Sequence, residues 1–450
     1  MKQKIDRSHY LFSNRDLVAL IIPLLIEQFL SILVGMADSI MIASVGEAAV
    51  SGVSLVDNIM ILLLNGFAAL ATGGAVVAGQ YLGQRKIKEA CESATQLIGF
   101  VTIASLVITV FVYLGRNIIL HGIFGQIEPD VMAHANTYLL IVSASIPFMA
   151  IYNGGAAIFR AMGNSEVSMR VSIIMNIINV SGNALLIYGF HRGTEGVAIP
   201  SLVSRMVAGL IIVGMLFNKK YLLHLKKEKY HFNWKMVKSI LQIGVPNGLE
   251  NSMFQLGKII VLSLVSSFGT YAIAANAVGN MVALFEILPG ISIGLAITTV
   301  ISRCVGANDY EQVHYYTKKM IGIVYIGMFL MNALIIALLP VIIKAYHLSD
   351  ITANTTRAII YFHTVSCITI WPISFSLPSV FRAAGDAKNC MIIAIISMWI
   401  FRIAFSYLLG KYMGWGIFGV WVAMVIDWVF RAVCFTIRFF SKKWEKAAII

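Results

Sequence analysis

Long apolar runs alternate with short polar segments along the whole chain, and most runs exceed anything a soluble core helix or strand would need. Crossing a hydrocarbon layer of roughly 30 Å takes about 20 helical residues. Twelve runs reach or approach that length: 17–44, 51–81, 92–114, 134–158, 168–189, 196–217, 239–266, 274–302, 318–340, 356–380, 388–410 and 415–437. The pattern predicts an all-α integral membrane protein with twelve transmembrane helices. The first run far outlasts a signal-peptide core of roughly 7–15 residues, and no small-residue cleavage site follows it. It reads as a retained span.

Composition agrees with lipid as the solvent: 59% of the 450 residues are apolar and 12% charged, against about 45–50% and about 25% in soluble domains. The 34 Lys and Arg against 21 Asp and Glu give a formal net charge of +13, which in a soluble protein would suggest nucleic acid. Placement decides otherwise. With basic residues at span ends counted in the segment they border, 25 fall on the side of the N-terminus, 5 on the other side and 4 within spans. Such a bias orients membrane proteins, and predicts a multi-pass protein of the plasma (inner) membrane with both termini cytoplasmic. The early bases are Lys2, Lys4, Arg7 and Arg15. The longest polar stretch, 218–238, carries Lys219, Lys220, Lys226, Lys227, Lys229, Lys235 and Lys238. It divides an N-lobe, 1–217, from a C-lobe, 239–450, and reads as a solvated linker against anionic membrane lipid. Without interleaved aromatics it gives no nucleic-acid partner. Cys91, Cys304, Cys367, Cys390 and Cys434 are odd in number and lack Cys-x-x-Cys spacing, so neither a disulfide framework nor a zinc site is expected.

The chain is written twice. A shift of 223 residues places Pro23 on Pro246, Glu27 on Glu250, Gly46 on Gly269, Gly83 on Gly306 and Gly196-Val197 on Gly419-Val420. At a shift of 222, Phe159-Arg160-Ala161-Met162-Gly163 falls on Phe381-Arg382-Ala383-Ala384-Gly385. Six spans per copy is an even number, so the copies share one orientation. They are parallel six-helix repeats related by a pseudo-two-fold along the membrane normal, an arrangement that leaves a central cleft between the lobes.

The run Gly35-Met36-Ala37-Asp38-Ser39-Ile40-Met41 with Gly46 following, the Gln80-Tyr81-Leu82-Gly83 exit of span two, Phe-Arg-Ala-x-Gly after spans four and ten, and Asn179-x-x-x-Asn183 in span five together resemble the multidrug and toxic compound extrusion (MATE) transporters. The resemblance covers essentially the whole chain. It implies antiport, with small organic cations or drugs exported in exchange for H⁺ or Na⁺ by alternating access. The same superfamily holds lipid and lipid-linked oligosaccharide flippases, the alternative reading. No cofactor beyond the coupling ion and no obligate protein partner are implied.

Ionisable groups at membrane depth are costly and are functional candidates by default. The first repeat has Glu27, Asp38, Asp57 and Arg205; the second has Glu250, Lys258, Glu286, Arg402, Asp427 and Arg431. On this count the first lobe has carboxylates to spare, and the second can cancel its charges internally. Spare carboxylates in a low-dielectric cleft hold protons more tightly and attract hard cations. Asp38 is the leading coupling residue, because its repeat equivalent is Val261. Glu27 and Glu250 occur in both copies one turn after a proline, and are expected to serve hydrogen bonding around the Pro23 and Pro246 kinks as well as ion binding. Asp57 reads as a cavity wall or part of the ion site. Arg402 and Asp427 lie at similar depth in a helical hairpin and are expected to form a structural ion pair.

Asn176, Asn179 and Asn183 lie one turn apart on one helix face, and amides at that depth need partners, water or an ion. Ser201 in span six offers another oxygen. In the resembling family one branch has Asn-x-x-x-Asp here, completing a Na⁺ site with the span-one acid. This chain has Asn183 where that acid would stand, and 356–380 contains no acid for the branch's span-ten ligand. Na⁺ at Asp38, Asn179 and Asn183 and H⁺ at Asp38 both stay open. Phe67, Tyr152, Phe254 and Met281 are candidates for an adaptable cleft lining. With no Gly-x-x-x-x-Gly-Lys-Ser/Thr phosphate loop in the sequence, an ATP-driven pump within this chain is not expected. An intramembrane enzyme would need a paired nucleophile and base; His363 with Cys367 one turn later reads as packing.

Overall fold

A computed structural model describes residues 10–123, 125, 127–226 and 230–450. The expected orienting charges at Lys2, Lys4, Arg7, Lys227 and Lys229 lie outside the described residues. Among the described residues the chain is helical, with no strand. Nine helices among these residues are long and apolar enough to cross a membrane: α1 (Asn14–Ala43), α2 (Glu47–Gly83), α3 (Ile87–Leu114), α5 (Ser165–Gly189), α6 (Glu195–Leu216), α8 (Thr270–Gly306), α9 (Tyr310–Ala345), α11 (Ala387–Tyr412) and α12 (Gly416–Ser441). Two more spans are bent pairs. These are α4 (Pro129–Ser143 with Ile146–Ala161, 49°) and α10 (Asp350–Thr369 with Pro372–Ala383, 60°). The twelfth helix, α7 (Trp234–Ser266), is 33 residues long. Asn247, Glu250, Asn251, Gln255 and Lys258 make it more polar than the rest.

The spans expected at 134–158 and 356–380 are present as these two bent pairs. Pro147 and Pro372 stand at the start of the second segments. A proline withdraws a backbone donor, clashes with the preceding turn and disfavours helix in the residue before it. Both breaks fall in the fourth span of their half. The duplication is equally visible elsewhere: α2 and α8 each have 37 residues, and their limits differ by the same 223 positions. Pro23 sits inside α1, where its missing N–H leaves the Ala19 carbonyl without its helical donor. Ser165 on α5 attends this turn, with its hydroxyl 2.7 Å from the Leu20 carbonyl and 3.4 Å from that of Ala19.

The segment before α7 is not simply a solvated linker. Leu223 and Leu225 are buried, Lys226 pairs with Glu92 of α3 at 2.6 Å, and Gln96 bonds to the Tyr230 hydroxyl and the His231 carbonyl. Polar groups on the face of α3 thus hold the crossover in place.

The halves meet where α1 and α2 pack on α7 and α8. Their tightest approach is at the end of the bundle where α1 begins and α12 ends. There Gln80 Nε2 donates to the Ala383 carbonyl at 2.9 Å, and Arg303 donates through Nε and Nη2 to the Ala161 carbonyl at 3.0 and 2.8 Å. Gln80 and Arg303 are repeat equivalents, as are the two alanines. One contact has been built twice, once in each direction. Glycine permits it: a Cβ on Gly306 would lie 2.0 Å from the Gln80 carbonyl oxygen, and one on Gly83 2.1 Å from that of Arg303.

Candidate functional site

Each half carries a cluster of ionisable side chains, and the two differ in sign. In the first half, Asn183 Nδ2 donates to Asp38 Oδ1 at 2.6 Å, and Tyr138 on α4 donates to Asp57 Oδ1 at 2.9 Å. Asn179 Nδ2 donates to Ser201 Oγ at 3.1 Å and lies with its Oδ1 3.5 Å from the Asn183 amide. Asp38, Asn183, Asn179 and Ser201 therefore form one chain of contacts across α1, α5 and α6. Asp38 and Asp57 are half-buried. Arg205 donates to Ser145 Oγ at 2.9 Å and acts electrostatically on both acids without forming an ion pair with either. Asn183 Oδ1 is buried with no hydrogen bond, and so is Asn176 Nδ2. Asn176 is not drawn into the Asp38 chain of contacts.

Glu27 stands apart from this group. It is buried, accepts from Ser168 at 2.9 Å and Tyr152 at 3.4 Å, and lies 3.9 Å from Arg160. Its repeat equivalent Glu250 pairs with Arg382 at 2.8 Å. Arg160 and Arg382 are the arginines of the two Phe-Arg-Ala-x-Gly motifs. The expectation that these glutamates serve the turns around Pro23 and Pro246 is corrected: they bind neighbouring spans. The geometric reason is that the glutamate lies one turn beyond the proline, and its side chain reaches across the helix interface to the fourth span of its own half.

The second half centres on a cavity of about 610 Å³ bordered by α7, α8, α10, α11 and α12. A second cavity of about 340 Å³ lies alongside, reaches Asn58 and Ile61 of α2, and shares Lys258, Asn280, Arg402 and Met424 with the first. Lys258, Arg382, Arg402 and Arg431 border the larger cavity, as does Glu250. Asp427 is fully buried behind them; it is 2.8 Å from Arg431 and 3.7 Å from Arg402, and Ser397 donates to it. With Glu286 behind His363 counted as well, three acids stand against four bases, an excess of one positive charge. The internal cancellation expected for this half is corrected, because Arg382 lies just beyond the apolar run.

Glu286 is buried between His363 Nδ1 and the Thr364 hydroxyl, both in contact with its carboxylate, while Asn332 donates to its carbonyl at 3.2 Å. Trp421 and Trp428 meet the imidazole edge-on at 5.4 and 5.3 Å. The reading of His363 as packing beside Cys367 is corrected: it partners a carboxylate, which a buried acid requires. Of the expected cleft lining, Phe254 and Met281 border the cavity. Phe67 and Tyr152 are core residues instead.

The MatE family model matches residues 23–185 and, a second time, 246–408. The chain belongs to the MatE family. It is similar to an uncharacterised transporter YisQ of Bacillus subtilis (28% identity over 99% of both chains). It is also similar to a probable multidrug resistance protein NorM of Thermotoga maritima (26% identity, covering 97% of this chain and 94% of the relative). Its fold matches a solved MATE family multidrug resistance transporter in an outward-facing conformation, with a TM-score of 0.90 at 20% identity over 96% of each chain. A MatE protein is a multi-pass membrane transporter and not an enzyme.

Each MatE half thus ties its Pro-x-x-x-Glu to its Phe-Arg-Ala-x-Gly. The sequence held that signal, since an acid and a base were each kept in both copies. Glu286 and His363 carried a fainter one, as two ionisable groups of the same half at membrane depth without assigned partners.

Proposed function

We propose that the chain is a secondary active exporter of small organic molecules, driven by H⁺ exchange at the first-half carboxylates and working by alternating access between the halves. The observation that carries this is the Asp38 group. Asp38 and Asp57 face one arginine, so the site carries an acid that a proton neutralises, and it is half-buried where dielectric screening is weak. Na⁺ would need converging oxygens, and this chain has the neutral Asn183 where an Asn-x-x-x-Asp pattern would supply a second carboxylate beside Asp38. The missing acid supports H⁺ over Na⁺. A membrane potential adds about 2.3 kcal/mol per charge per 100 mV to the exchange. The outward-facing relative supports an assignment of the closed end, with both termini, to the cytoplasm, in keeping with the basic bias of the loops.

Proteoliposomes with independently imposed H⁺ and Na⁺ gradients test the reading, with matched cationic and anionic fluorescent dyes as cargo. The H⁺ gradient alone should drive transport, and Asp38→Asn should reduce it to background at normal protein yield. Normal transport by Asp38→Asn, or dependence on Na⁺ alone, would overturn it.

A further inference from the structure

The second-half cavity has a polarity opposite to that expected of a site for organic cations. Lys258 projects into the shared rim of the two cavities, where its side chain is exposed. Among the described residues no carboxylate lies within ion-pairing distance of it. Arg402 faces the same point: Lys258 Nζ lies 5.7 Å and the Arg402 guanidinium 5.2 Å from the centre of the Phe254 ring. Two like charges around one ring repel, and the π-face offsets only part of that. Arg402's one acid, Asp427, is already held at shorter range by Arg431. An uncompensated positive pair at the rim of a cleft favours an anion between its members.

The surroundings divide in the same way. On the side of the smaller cavity the wall includes the amides of Gln255, Asn276 and Asn280, which suit a polar head group. On the other side Met281, Leu284, Trp371, Phe375 and Trp428 form an apolar and aromatic wall. The volumes suit a small organic ligand. We propose that Lys258 and Arg402 bind the anionic head, a carboxylate or phosphate-type group, of an amphiphilic substrate whose apolar body lies against Phe254 and the tryptophans. The proposal deepens the export reading by assigning the charge of the cargo, and rests on it. A free organic acid and an anionic lipid headgroup offer the same chemistry.

Binding of three probes that differ only in charge tests this without any gradient: 4-(1-pyrenyl)butanoate, the matching trimethylammonium, and the neutral alcohol. Energy transfer from tryptophan to pyrene in phosphatidylcholine nanodiscs reports occupancy. The butanoate should bind at least tenfold tighter than the ammonium. Lys258→Gln strands no acid, so it should fold normally, and it should weaken butanoate binding by roughly ten- to a hundredfold while leaving the ammonium unchanged or tighter. Equal binding of both ions, or a butanoate affinity unaffected by Lys258→Gln, would overturn the proposal. Nanodiscs with added phosphatidylglycerol separate the sources: Lys258-dependent competition identifies a lipid head, and its absence a free acid. Because these measurements use no gradient, failed coupling at Asp38 leaves them intact, and failed anion preference leaves Asp38-dependent transport intact.

Discussion

Gly306→Ala should shift the transporter away from the state in which its terminal end is closed. The added Cβ would stand 2.0 Å from the Gln80 carbonyl oxygen and 2.6 Å from that residue's carbonyl carbon and Cα. These are backbone atoms with no rotamer to yield, so α2 and α8 must move apart by more than 1 Å to reach an ordinary contact near 3.4 Å. Overpacking of this kind costs about 1–3 kcal/mol. The cost falls only on the state in which the helices touch. At 1.4 kcal/mol per factor of ten, the balance between the two access states should move by roughly 5- to 100-fold toward opening at this end. The higher helix propensity of alanine acts in both states and cancels. Spin labels at Lys88 and Glu311, exposed repeat equivalents in the first turns of α3 and α9, would report the change by pulsed electron resonance as a new, longer distance population. Gly35→Ala is the control, since a Cβ there meets nothing within 4 Å. If Gly306→Ala gives the wild-type distance distribution, the reasoning that this contact closes the transporter is wrong.

Two predictions concern the buried ion pairs. Arg431→Gln should lower the detergent-phase melting temperature more than Arg402→Gln, because Arg431 makes the 2.8 Å bond to Asp427 and Arg402 stands off at 3.7 Å; equal losses would contradict the geometry. Glu250→Gln and Arg382→Gln should each destabilise, since either leaves a half-buried charge without its partner, while the double variant should cost less than the two together by about 0.5–3 kcal/mol. Additive losses in thermal unfolding would show that the pair is uncoupled.

The helices were legible because lipid imposes a single rule on every span, and the repeat because Pro-x-x-x-Glu and Phe-Arg-Ala-x-Gly survive in both halves. The bends at Pro147 and Pro372 were harder to see. A proline at membrane depth can sit inside a continuous helix, as Pro23, Pro246 and Pro289 do, and only packing decides. The contact of Asn183 with Asp38 joins residues 145 positions apart, and a shared helix face narrows the choice of partner without naming it. The charge of the second half was misjudged for a physical reason. Arg382 lies where the apolar run ends, yet its side chain turns inward to Glu250, and hydropathy along a chain does not record where a long side chain points.

The paired contact of Gln80 with Ala383 and Arg303 with Ala161 has the form of an isologous interface, the kind two identical subunits would make. In such a dimer every charge lining the cleft appears on both walls, so the field across it vanishes by symmetry. Fusing the halves into one chain removes that restriction. One half can gather carboxylates around Asp38 and the other guanidinium and ammonium groups around Lys258, so the fused chain has an electrical direction from half to half. Such a field acts on a charged molecule between the halves before any close contact is made.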